Sequence, residues 1–183
     1  MIRTTAFTLA LALGGAALPV AAQTPPPPPP PEAKMQAPAY VMAAGKSDLF
    51  EINSSQIAAE KSPNPAVKRY AQMLIRHHQK TTADTMAAAR KAGVTAPPPA
   101  LDPGASASIA ELQAAAPADF DRIYLAQQVP AHQAALDLHK SFGANGDQNA
   151  LRTTAKKAVP IVQGHLTQAE RLMGGAHAGH KGM

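Results

Sequence analysis

The chain of 183 residues contains no cysteine. That single absence excludes a disulfide framework, a lipid-anchored N-terminal cysteine and a cysteine nucleophile. Long apolar runs are also missing: past Ala22 nothing is long and hydrophobic enough for a transmembrane helix. Aromatic residues make up only 4% of the chain and do not interleave with the basic pairs Lys68-Arg69, Arg90-Lys91 and Lys156-Lys157. A nucleic-acid groove is therefore not expected, and the pairs read as solvated helix surface. The formal net charge is a modest +5, which leaves weak attraction to anionic envelope surfaces open. Enzyme signatures are absent as well. No glycine-rich phosphate loop follows a strand, and Ser54 and Ser55 belong to no nucleophile elbow or lysine-paired motif.

What is present begins with an address. Met1-Ile2-Arg3 is a short basic start, Ala6 to Ala17 is an apolar core too short to span a bilayer, and Val20-Ala21-Ala22 offers small residues for cleavage. Residues 1–22 are expected to be a signal peptide that exports the protein to the bacterial periplasm or beyond. Pro25 to Pro31 follow without interruption, and such a run favours a polyproline II rod. Residues 23–37 are accordingly expected to be a disordered proline-rich spacer.

From Pro38 the pattern turns helical. Tyr40, Ala44, Ser47, Glu51, Ser54 or Ser55, and Ala58 recur at three-and-four spacing up to a stop near Lys61-Ser62-Pro63. Asn64 is placed to cap a second helix whose first position is Pro65. The seam of that helix is Val67, Ala71, Leu74, His78, Thr81, Thr85, Ala88 and Ala92, with Gly93 as its C-terminal cap. Pro97-Pro98-Pro99 and Asp102-Pro103-Gly104 break the rhythm, so residues 94–117 read as a long crossover in which Ser108 to Ala116 form a short helix. A third long helix is expected from about Ala118 to Phe142, with Leu125, Gln128, His132 and His139 on one stripe. After a turn at residues 143–147, a fourth carries Leu151, Ala155, Ala158, Val162, His165, Ala169 and Leu172. Pro130 and Pro160 fall inside the last two helices, where a missing donor loosens the backbone near the central histidines. The expected fold is an all-α four-helix bundle over 38–173, with a flexible histidine- and glycine-containing tail over 174–183.

One titratable residue lies near the middle of each seam: Glu51, His78, His132 and His165. Burying such groups without partners costs several kcal/mol each, so four at similar depth point to a shared metal ion. Three imidazoles and one carboxylate suit a single transition metal, Zn(II), Cu(II), Ni(II) or Fe(II). His77 and His139 are placed to support the ligands or replace one. Two alternatives stay open: a buried hydrogen-bond network in which Glu51 holds one protonated histidine, within a non-catalytic envelope module, and a metal-dependent enzyme with an open coordination position. His177, His180 and Met183 offer only a weak exposed site.

The elements Asp48-Leu49-Phe50-Glu51-Ile52, Val67-Lys68-Arg69-Tyr70-Ala71 with Met73 and His78, Phe120-Asp121 with Tyr124 and His132, and Val159-Pro160 through His165-Leu166 stand in one order along the chain. In these the sequence, from Ala39 to Leu172, resembles a ferritin-like domain family of unknown function among exported bacterial proteins, often labelled membrane or outer-membrane proteins. The resemblance implies a ferritin-like four-helix bundle with a long crossover between its second and third long helices. It does not bring a di-iron centre with it. Such centres need a glutamate three residues before a histidine, and Ile75, Val129 and Val162 stand there instead. Many family members carry Asp-His pairs where this chain has His77-His78 and Ala131-His132.

Overall fold

A computed structural model describes residues 27–179. The expected leader, Gln23 to Pro26, His180, Met183 and the His177 side chain lie outside the description. Among the described residues there are five α-helices and no strand: α1 (Ala37–Lys61), α2 (Pro65–Lys91), α3 (Pro103–Ala114), α4 (Pro117–Asn145) and α5 (Asn149–Gly179). No helix among them is long and apolar enough to cross a membrane.

The helix starts follow the chemistry of free first-turn amides. The Asn64 side chain accepts from Ala66 N at 2.9 Å, with Pro65 at the position that has no bond to lose. Gly93 ends α2 with φ +67°, the left-handed conformation that suits a residue without Cβ. The same start signal occurs in the crossover: Asp102 accepts from Ala105 N at 2.8 Å and Pro103 opens α3. The residues expected to break the helical rhythm thus also begin a helix, and α3 starts earlier and ends slightly earlier than Ser108 to Ala116. Helix α4 likewise runs through the expected turn as far as Asn145, and α5 continues past Met173 to Gly179, into the segment expected to be a tail. Both helices are continuous through Pro130 and Pro160.

The long helices form an all-α four-helix bundle in which α1 packs on α2 and α4, and α5 on α4 and α2. One apolar cluster joins the end of α1 and start of α2 (Ala58, Val67, Tyr70, Leu74) to the start of α4 (Phe120, Tyr124, Leu125) and to Ala169. The other joins the opposite ends: Tyr40 and Val41, Ala89, Leu138 and Phe142, Leu151 and Ala155. Every neighbouring pair of long helices is therefore antiparallel, and the crossover carrying α3 must travel the length of the bundle. Between the two apolar ends lies a layer of buried polar side chains.

The segment expected to be a spacer is part of the fold from Pro31 onward. A 3-10 turn over Pro31–Lys34 buries Ala33, and Ala37 joins the same apolar cluster as Tyr40. Asp147 ties this segment down, donating from its N to Met35 O at 2.9 Å and accepting from Ala37 N at 2.9 Å. Lys34 pairs with Asp137 at 2.6 Å. Proline composition gave no sign of this, because the anchors are two alanines and distant loop groups.

Candidate metal centre

The polar layer takes one histidine from each of three helices. His78 of α2, His132 of α4 and His165 of α5 are each no more than 2% exposed. Their rings form a near-equilateral triangle, with centroids 5.6 Å apart for His78 and His132, 5.1 Å for His78 and His165, and 5.3 Å for His132 and His165. One ring nitrogen from each can be chosen so that all three lie within 4.8 Å of one another. Three nitrogens on one ion at about 2.1 Å stand roughly 3.4–3.6 Å apart, so small inward movements of the rings complete a shared shell.

Each ring has one nitrogen engaged and one free. His78 Nδ1 meets Asp48 Oδ1 at 2.7 Å, His132 Nδ1 donates to Gln128 O at 2.9 Å, and His165 Nε2 lies 2.8 Å from His77 Nδ1. The remaining atoms, His78 Nε2, His132 Nε2 and His165 Nδ1, are buried without a hydrogen-bond partner in the protein. A free buried nitrogen costs about 1–3 kcal/mol, so three at one level must be offset by something. An ion bound to those nitrogens would do so, and the bonds to Asp48 and to Gln128 O already fix the tautomers it needs at His78 and His132. The three residues fit a metal ion.

Asp48 is the residue that reading the sequence did not assign to the site. It is buried, accepts from Thr81 Oγ1 at 3.1 Å and Thr82 Oγ1 at 2.7 Å, and faces His78. It stands one turn before Glu51 and one turn after Ala44, on the same stripe, which was the available signal. Burial alone would discharge His78, but the hydrogen bond and charge of Asp48, then the charge of Glu51, outweigh it and raise the His78 pKa above its usual value. The neighbours go the other way. Burial, then the His78 charge, pushes His132 down to about 3 and His165 to about 2.

Glu51 is also buried, but it does not join the histidine triangle. Its Oε1 lies 3.7 Å from His132 Nδ1, the nitrogen already donating to Gln128 O, and neither carboxylate oxygen has a hydrogen-bond partner in the protein. Burial lifts its pKa to about 7. With His132 so depressed, the two do not form an ion pair at neutral pH. His139 is likewise elsewhere. Its Nδ1 is 3.0 Å from the Tyr40 hydroxyl, toward the end of the bundle where Tyr40 stacks on Phe142. His77, by contrast, adjoins the triangle: it is exposed and stacks on His165 with centroids 5.1 Å apart.

Fold and layer together define a helical bundle with a buried histidine cluster able to take a metal ion. Residues 22–172 match the model of DUF4142, a domain of unknown function, and the chain belongs to that family. No curated protein matches it. Among solved structures, it is similar to CopM in the Cu(I)-bound form, with a TM-score of 0.62 and 17% identity over 74% of this chain and 94% of that one. CopM in the Cu(II)-bound form gives 0.64 and 15% over 76% and 97%, and the Ag-bound form 0.61 and 17% over 74% and 93%. At these identities the likeness is one of fold.

Proposed function

We propose that this protein binds one transition-metal ion on His78, His132 and His165, that the ion is copper, and that the protein handles it in the bacterial periplasm or beyond. The carrying observation is three clustered buried histidines, each with one ring nitrogen engaged and the other without a partner. Imidazole suits copper, zinc, nickel and iron, and Cu(II) stands highest among the divalent ions in general affinity. The copper- and silver-bound structures with this fold favour the same choice. Export rests on the leader, Arg3 followed by Ala6 to Ala17 and a small-residue cleavage site.

Binding fits this layer better than catalysis. The three rings are almost fully buried, which favours a small ion over a bulky substrate. A hydrogen-bond network without metal fits less well. In it Glu51 would hold a protonated histidine, whereas the histidine paired with a carboxylate here is His78, on Asp48, and both Glu51 oxygens lack protein partners.

The test uses the full chain without an affinity tag and with His177 and His180 replaced by alanine, so that the C-terminal residues cannot bind. Near-stoichiometric copper after dialysis, with a raised melting temperature that His165→Leu abolishes, is the expected result. A chain that neither retains nor is stabilised by copper, zinc, nickel or iron at neutral pH would refute the site.

A further inference from the structure

The three rings are backed by groups of different accessibility. His78 leans on Asp48 and His132 on the Gln128 carbonyl, both of them buried residues, whereas His165 leans on His77, which is exposed. Gly164, the residue before His165, is exposed as well. His77 and His165 lie stacked, 19° from parallel, and together lead from solvent to the core.

Building on the metal-site reading above, we propose that His77 and His165 form an outer two-histidine site for the same ion, through which it is loaded into the three-histidine core and released from it. The chemistry requires a cation that accepts two neutral imidazoles, as copper does. Their facing nitrogens are 2.8 Å apart with one proton between them; an ion bridging them needs up to about 4 Å, so the exposed His77 ring swings outward as the ion is captured. In the outer state the ion bonds His77 Nδ1 and His165 Nε2, and the His165 ring proton is on Nδ1. In passing inward the ion exchanges those two bonds for His165 Nδ1, His78 Nε2 and His132 Nε2, and where His78 is charged against Asp48 its Nε2 proton is released to solvent. The His165 proton returns to Nε2 and again bridges to His77. Each of the two imidazoles keeps one ring proton throughout, and no electron is transferred.

The pair can be separated from a merely supporting hydrogen bond by kinetics. His77→Gln keeps an oxygen that accepts from His165 Nε2 but is a poor ligand, and His77→Ala keeps neither function; the exposure of His77 makes both tolerable. Loading of the full chain lacking His177 and His180 is followed by stopped flow with Cu(II) buffered by glycine, release by challenge with EDTA, and affinity by competition at equilibrium. An outer loading site predicts that both variants load and release at least about tenfold more slowly. In His77→Gln the affinity changes by less than about threefold, because the two rates fall together. Wild-type rates in His77→Gln would overturn the proposal while leaving the core site standing. So would faster release with weaker binding in His77→Ala that glutamine restores, the pattern of a positioning hydrogen bond. A parent chain that binds no copper at equilibrium would overturn the core site and this proposal together.

Discussion

Asp48 Oδ1 on α1 lies 2.7 Å from His78 Nδ1 on α2, with both side chains buried. The carboxylate orients the ring so that Nε2 is the free nitrogen, and it places a negative charge one residue away from the proposed cation. Thr81 and Thr82 hold the carboxylate in turn. Replacing Asp48 by Asn keeps an acceptor but removes the charge. The expected outcome is a loss of copper affinity of about 10- to 100-fold and of metal-free stability of about 1–3 kcal/mol, read by competition titration and by urea unfolding. Unchanged affinity would remove Asp48 from the account.

The metal-free protein should lose stability in mild acid. Folding lowers His132, His139 and His165 from 6.5 to about 3, 4 and 2, chiefly by burial. Below pH 6.5 the unfolded chain therefore takes up protons at these positions that the native chain refuses. Glu51 opposes this, since its pKa rises from 4.5 to about 7 and the native state keeps that proton. His78, raised in the fold, contributes stability that is complete below 6.5 and lost as pH rises through its folded value. Between pH 6.5 and 4.5 the balance is an excess of about two protons on the unfolded chain, each worth about 1.4 kcal/mol per pH unit. Urea midpoints should fall steadily from pH 6.5 to pH 5; a flat or rising profile over that range would contradict the burial of neutral histidines.

Glu51→Gln should leave one ion per chain bound, because the carboxylate stands beside the back of His132 and not among the three clustered histidines. Above pH 7 the same change removes a buried charge without a hydrogen-bond partner and should stabilise the metal-free protein by about 1–3 kcal/mol. Loss of the ion in this variant, measured by metal analysis, would restore Glu51 as a ligand.

Asn64→Ala should cost about 1 kcal/mol, the usual worth of a helix N-cap, through the lost bond to Ala66 N. Thermal unfolding of the two chains at equal metal content measures it.

Much of this was legible in the sequence. The Asn64-Pro65 start, the Gly93 stop and the apolar seams gave α1 and α2 to within a residue or so, because capping and periodicity are local. The Asp102-Pro103 signal is chemically the same as Asn64-Pro65, but a proline there both ends one helix pattern and opens another, so the sequence signals a break and a start at once. His78, His132 and His165 stood out because a seam of small and apolar residues excludes titratable groups. Their level was harder. Glu51 and Asp48 are neighbours on one helical stripe, and which faces the histidines depends on the vertical offset and rotation of α1 against α2, which no single helix encodes. The docking of residues 31–37 depends on Asp147, over a hundred positions away, and has no local signature.

The most direct test of the central claim is the coordination shell itself. X-ray absorption on the copper-loaded full chain lacking His177 and His180 should show about three nitrogen scatterers near 2.0 Å with the outer-shell pattern of imidazole rings, and His165→Leu should lose one of them or fail to retain copper. A shell dominated by methionine sulfur, or one identical in the parent and His165→Leu proteins, would contradict the three-histidine site.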